Sequence, residues 1–131
     1  MAIEKSILVI DDDELCLSVL SEFLDGEQYH VATFSRATCL MTIKAAERCP
    51  MKTPCYDVLI TDNQMPGMTG LDFLALQQRC GCKIPDHRKA IISGNWCNEN
   101  LGKAEQLGCQ VFDKPYAFDQ ISNWLEVSAF A

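Results

Sequence analysis

Four short apolar runs of this chain end in residues suited to handling a phosphoryl group. Ile7-Leu8-Val9-Ile10 runs into Asp11-Asp12-Asp13, and Val58-Leu59-Ile60-Thr61 runs into Asp62. Ala90-Ile91-Ile92 ends in Ser93, and the stretch 110–113 leads to Lys114-Pro115. Converging carboxylates with one lysine and one hydroxyl make a site for a hard cation and a phosphoryl group. Oxygen ligands suit Mg²⁺, which keeps several waters and accepts one or two carboxylates. Acids brought that close repel one another unless a divalent ion lies among them.

The elements that must position these residues follow from the rhythm of the chain. A short apolar run followed by a helical pattern occurs five times, with no internal repeat, low-complexity stretch or linker. Unbroken branched runs fit strands buried on both faces, as in a parallel sheet covered by helices. Strands are expected at 7–10, 31–34, 58–61, 90–93 and 110–113. A first helix is expected over 14–24, with Cys16, Val19, Leu20 and Phe23 on one face and Gly26 just past its end. A second should run from a Ser35 cap to about Arg48, stopping before Pro50. The third, 71–78, is broken by Gly81 and Pro85, and the fourth, 98–107, is closed by Gly108. The last begins near Phe118, with Ile121 and Leu125 on its inner stripe. Alternating units without a hairpin signal imply right-handed crossovers and an α/β fold, a doubly wound five-stranded parallel sheet with five helices. In such sheets ligands bind beyond the carboxyl ends of the strands. The acids, Ser93 and Lys114 all stand there.

The 131 residues, 48% of them apolar, suffice for one core, so a single domain is expected over 1–131 with its core at about 5–128. A chain of this length buries roughly two-thirds of its unfolded surface and needs no metal or disulfide to fold. Eleven basic against 18 acidic residues leave a net charge of −7, which argues against a nucleic-acid surface and an electrostatic membrane anchor. No apolar run approaches the ~18 residues of a transmembrane helix. Met1 to Ser6 lacks the basic-then-apolar pattern of a secretion signal, so a cytoplasmic location is expected.

With these pieces in order, the chain resembles a response-regulator receiver domain of two-component signalling. The matching segments are Ile7 to Asp12, Leu59 to Asp62 with Met65-Pro66-Gly67-Met68-Thr69-Gly70, Ile92-Ser93-Gly94, and Lys114-Pro115. The resemblance implies a flavodoxin-like sheet of order 2-1-3-4-5. It implies Asp62 as the phospho-acceptor, a carboxylate nucleophile. Asp12, Asp62 and the Gln64 backbone carbonyl would hold Mg²⁺, with Asp11 acting through a water. Ser93 and Lys114 would bind phosphoryl oxygens, and Gly94 would leave room for a phosphohistidine donor. The implied partners are a sensor histidine kinase or histidine phosphotransfer protein and a downstream effector. The implied switch alters the face made by the helix at 98–107, the fifth strand and the last helix. Such a domain is no enzyme, since it catalyses only its own phosphorylation and dephosphorylation.

Each residue also has an ordinary reading. Acid runs are often solvated helix starts, which suits Asp13 and Glu14. Asp62 alone would pass for a turn acid, Lys114 for a surface lysine, and Ser93 for a loop cap. Trp96, Trp124, Phe112 and Tyr116 read as core or half-buried rim, and His30 and His87 as surface. Two rival functions remain. One is a haloacid-dehalogenase-type phosphohydrolase with Asp11 as nucleophile and Asp13 as acid. The other is a non-phosphorylated receiver-like interaction module.

Two features depart from the family. The position three before Lys114, usually aromatic, is Val111, with Phe112 next, so the switch pair Ser93 and Val111 lacks its swinging ring. Cysteines are also numerous, eight in all, and reduced thiols are the default in a cytosolic chain. Cys49, Cys55, Cys80 and Cys82 lie in connections that the implied strand order brings to the end opposite Asp62. The alternatives there are a structural Zn²⁺ site or a disulfide between two of them.

Overall fold

The computed structural model describes residues 5–37 and 48–130. Five strands, β1 (Ser6–Ile10), β2 (His30–Phe34), β3 (Val58–Asp62), β4 (Lys89–Ser93) and β5 (Gln110–Asp113), form one sheet in the order β2-β1-β3-β4-β5. Every pairing is parallel. The helices are α1 (Glu14–Gly26), α2 (Gly70–Cys80), α3 (Asn98–Leu107) and α4 (Phe118–Trp124). α4 runs on into a π-helical turn, Leu125–Ala129. This is the expected doubly wound, flavodoxin-like fold, with four α-helices among the described residues. Of the helix expected from Ser35 to about Arg48, residues 38–47 lie outside them, and 35–37 and 48 are not helical.

Burial on both faces explains why the strands read as unbroken apolar runs. Ile7, Val9, Val58, Ile60, Ala90 and Ile92 face a core shared with Leu20 and Leu24 of α1 and Ile121 and Trp124 of α4. Leu8, Ile10, Leu59 and Ile91 face the other way, against Phe73 and Leu74 of α2 and Ala104 of α3. Each fully buried aliphatic side chain is worth ~1.5–3 kcal/mol of transfer free energy. α2 opens on Thr69, whose hydroxyl accepts from the Asp72 N–H at 3.1 Å. It closes at Gly81, which takes the left-handed conformation (φ 77°) that glycine adopts without steric cost.

α1 departs from expectation in two ways. It continues past Leu24, because that side chain is completely buried and extends the inner stripe by a turn. Gly26 is therefore its last residue, and the left-handed position is Gln28 (φ 70°). The stripe is also rotated. Leu20 and Leu24 are buried and Phe23 stacks on Phe118 with centroids 4.6 Å apart, whereas Val19 is 41% exposed and Leu15 73%. No helix of the described residues is long and apolar enough to cross a membrane.

Candidate functional site

A parallel sheet places all its strand ends at one edge, and there the expected residues meet. Asp11 and Asp12 follow β1, Asp62 and Ser93 are the last residues of β3 and β4, and Lys114 follows β5. Since β3 lies between β1 and β4, Asp62 is central. Carboxylate oxygens of Asp11, Asp12 and Asp62 all lie within 4.8 Å of one another. Lys114 Nζ bridges two of them, 3.0 Å from Asp62 Oδ1 and 3.3 Å from Asp11 Oδ2. Asp11 and Asp62 are buried, and Asp12 is exposed at the mouth.

The electrostatics are those of an acid cluster held by one cation. Burial pushes the Asp62 carboxyl above its ordinary value, the hydrogen bond from Lys114 opposes this, and the Asp11 charge adds to the rise. Burial by itself would lower the Lys114 ammonium, but its hydrogen bond to Asp62 and the charges of Asp11 and Asp62 outweigh that and raise it. A small hard cation bound at ~2.1 Å would hold its oxygens ~3–4 Å apart, close to the present spacing. The donor set therefore fits Mg²⁺: oxygen only, excess negative charge, and one exposed carboxylate at the entrance.

The loops around the cluster are tightly anchored. Thr61 Oγ1 donates to the Asp62 carbonyl at 2.9 Å. Buried Asn63 accepts the Gly70 N–H on its backbone oxygen at 2.9 Å and the Leu71 N–H on its side chain at 3.0 Å. The start of α2 is thereby clamped to the loop behind Asp62. This role of Asn63 was not anticipated, and the only sequence signal was an amide directly after Asp62. Gln64 is exposed two residues beyond the acid. Ser93 is buried, its Oγ accepts the Asn95 N–H at 3.2 Å, and its carbonyl accepts the Lys114 N–H at 3.0 Å. Gly94 is exposed, and a Cβ there would stand 3.7 Å from Lys114 Cβ.

The Asp13 side chain stands outside the cluster, although its N–H donates to Asp11 Oδ1 at 3.0 Å. It is the N-cap of α1, accepting from the Leu15 and Cys16 N–H groups at 3.0 and 3.2 Å. These bonds, Cys16's foremost, hold its carboxyl below the ordinary range. A group so held is a poor general acid, which removes support from the phosphohydrolase reading.

Val111 is half-buried on β5 beside Trp96 in the core layer under α2 and α3. Phe112 points to the opposite layer and meets Trp124 edge-on, centroids 5.8 Å apart. The Trp96 indole N–H donates to the Phe112 carbonyl at 3.0 Å, tying the β4–α3 loop to β5. Trp96 is thus half-buried, as expected of rim, but with a specific tether that spacing does not disclose. An open apolar groove lined by Leu15, Cys16, Val19, Pro115, Tyr116 and Phe118 ends at Lys114.

Cys49, Cys55, Cys80 and Cys82 do not form the zinc site that was the alternative to reduced thiols. Among the described residues, the only acid, histidine or cysteine cluster with metal-like spacing is the three aspartates. Cys49 packs beside Cys80, Cys82 belongs to a different apolar cluster, and Cys55 is exposed. The connections do share an end of the sheet, but Cys82 turns away from the layer that Cys49 and Cys80 share.

A sequence model of the response regulator receiver domain matches residues 7–126. The two-component response regulator ORR21 of Oryza sativa subsp. indica is 39% identical over 123 residues, 92% of this chain and 16% of that protein. ORR23 of the same plant is 36% identical over 123 residues, covering 92% and 17%. The chain thus spans about a sixth of the length of these relatives. Among solved structures, a response regulator receiver domain protein from Clostridium thermocellum superposes with a TM-score of 0.73 at 25% identity, covering 93% of this chain and 91% of that one. The chemotaxis protein CheY4 of Vibrio cholerae shares the fold at 0.70 and 21% identity, covering 95% and 98%.

Proposed function

Because the chain belongs to the response regulator receiver domain family, we propose that it is a phospho-acceptor switch in which Asp62 takes the phosphoryl group. The observation that carries this reading is the Lys114 bridge between Asp62 and Asp11 within a cluster of three carboxylates. An Asp62 carboxylate oxygen attacks the phosphorus of a phosphohistidine, the P–N bond breaks, and the leaving imidazole takes a proton from solvent. The product is an aspartyl phosphate. Asp12, Asp62 and the Gln64 backbone carbonyl would hold Mg²⁺, with Asp11 reaching it through a water. The ion supplies neutralisation of the carboxylates and of the transferring group, since phosphoryl transfer depends chiefly on positioning and charge. Lys114 passes from the carboxylate to a phosphoryl oxygen, and Ser93 donates to another.

The chain acts only on itself and is not an enzyme with a separate substrate. Its donor is a sensor histidine kinase or phosphotransfer protein in the cytoplasm. The groove beside Lys114, with Leu15 and Val19 exposed along it, supports donor docking next to the acceptor. Phosphorylation turns the singly charged carboxylate into a group of about −2, and Ser93 and Lys114 read that phosphoryl charge. Ser93 Oγ can keep the Asn95 N–H while donating its O–H to the phosphoryl group, so a shift of Ser93 toward the phosphate pulls on the β4–α3 loop and its Trp96 tether to β5. The response therefore reaches the face made by α3, β5 and α4 despite Val111, and an effector binds there.

The test is phosphorylation by acetyl phosphate. The wild type should gain one phosphoryl group with Mg²⁺ and none in EDTA, and Asp62→Asn should gain none in either. Equal labelling of Asp62→Asn would refute the assignment, and label mapped to Asp11 would revive the hydrolase.

A further inference from the structure

We propose that Cys49 and Cys80 are a reversible dithiol–disulfide pair, a redox modification site at the far end of α2 from the carboxylate cluster. The Cys49 N–H donates to the Cys80 carbonyl at 2.7 Å. One such bond holds the two main chains side by side, and strand neighbours that exchange two stand ~5.5 Å apart at Cα. Disulfides span α-carbon separations of about 4.4–6.8 Å. Both side chains also lie in one small apolar cluster, with Leu76 and Met68. Position and packing thus agree.

Neither Cys82 nor Cys55 belongs to that cluster. Gly81 separates Cys80 from Cys82 in the left-handed conformation (φ 77°), and Cys82 packs into a different cluster. Cys55 is exposed, outside the cluster of Cys49 and Cys80. Accessibility assigns the order of events. Cys49 is half-buried and can be reached by a small oxidant, whereas Cys80 is 3% exposed and can react only with a neighbour. With a low-molecular-weight disulfide such as glutathione disulfide, the Cys49 thiolate attacks one sulfur and expels one thiol. The Cys80 thiolate then attacks the Cys49 sulfur and expels the second. Two protein thiols become one S–S bond, and their two electrons and two protons leave in two molecules of thiol.

The bond would fasten the segment that precedes β3 to the end of α2, closing a loop that contains Asp62. Met68 of the β3–α2 loop packs against the pair, so oxidation bears on the loop that follows the acceptor. α2 places the pair ~15 Å along the helix from its start at Gly70, so the pair modulates the site from outside it.

Native protein incubated with glutathione disulfide, alkylated and peptide-mapped tests this. The expected result is one disulfide, Cys49–Cys80, with loss of two hydrogens, a higher unfolding midpoint, and reversal by dithiothreitol. Cys49→Ser should form no internal disulfide, while Cys55→Ser and Cys82→Ser should form it unchanged. A bond mapped to any other pair, a persistent glutathione adduct on Cys49, or full alkylation of both residues would overturn the proposal. So would a lowered midpoint on oxidation. The wild-type map decides by itself if a variant fails to fold.

Discussion

Two glycine-to-alanine changes should move stability in opposite directions. Gly102 lies inside α3 with nothing within 4 Å of an added Cβ. Alanine there gains helix propensity and loses unfolded-state freedom, so Gly102→Ala should stabilise by about 0.4–1 kcal/mol. Gly70 opens α2, and an added Cβ would stand 2.5 Å from the Asp62 carbonyl oxygen and 3.1 Å from Asn63 Cα. Both obstacles are backbone. Reaching ordinary contact at 3.4 Å needs a separation of about 0.9 Å, yet the Gly70 and Leu71 bonds to Asn63 hold the two segments together. Overpacking of this kind costs ~1–3 kcal/mol, which exceeds the propensity gain. A net loss of about 1–2 kcal/mol corresponds to a fall of roughly 3–6 °C in midpoint for a domain of this size. Thermal unfolding in EDTA gives the first readout, and Mg²⁺-dependent labelling by acetyl phosphate the second. Gly70→Ala should label more slowly because the acceptor's own backbone has moved, and Gly102→Ala should label as the wild type does. A Gly70→Ala protein as stable and as reactive as the wild type would refute the reasoning.

Further expectations concern charge. Lys114→Ala removes the cation facing Asp11 and Asp62, and with Lys114 itself 28% exposed the loss in EDTA should be about 2 kcal/mol, below that of a fully buried pair. Millimolar Mg²⁺ should restore most of it, as measured by urea unfolding. Asp62→Asn should be more stable than the wild type at pH 7 in EDTA. A carboxyl raised from its ordinary 3.8 contributes stability that is full below that value and lost as pH rises through its folded value, so the gap should close toward pH 4. Trp96 emission and amide signals over 95–107 should shift when beryllofluoride and Mg²⁺ are added to the wild type, and stay unchanged in Asp62→Asn.

The acidic site was legible because a parallel sheet converts run ends into neighbours. Asp11, Asp12, Asp62, Ser93 and Lys114 needed only the strand assignments to be placed at one edge. Features that depend on side-chain direction were not legible. Val19 fits a helical stripe by spacing, but α1 is rotated so that Leu24 fills the core and Val19 lines a groove. Gly26 resembles a helix stop, yet burial of Leu24 carries the helix through it. Four cysteines in two facing connections suggest a metal centre, but Cys82 turns into a different apolar layer from Cys49 and Cys80, and Cys55 is exposed. The Trp96 tether is one hydrogen bond from loop to strand and the Asn63 clamp a pair of bonds across the β3–α2 connection, and no periodicity encodes them.

Three carboxylates opposed by one ammonium leave two formal negative charges at the carboxyl edge of a chain that is already at −7. A small phospho-donor such as acetyl phosphate is itself an anion and approaches against that field. Its encounter rate should therefore rise with ionic strength, the reverse of ordinary electrostatic steering. A divalent ion among the carboxylates cancels the local excess, so the salt dependence should flatten as the ion saturates. A protein donor with a basic rim around its phosphohistidine would be drawn in instead, and salt would slow it. On the proposed reading, the carboxylates that would hold the ion would also act as a kinetic filter, screening Asp62 from free metabolic anions while admitting cationic protein surfaces.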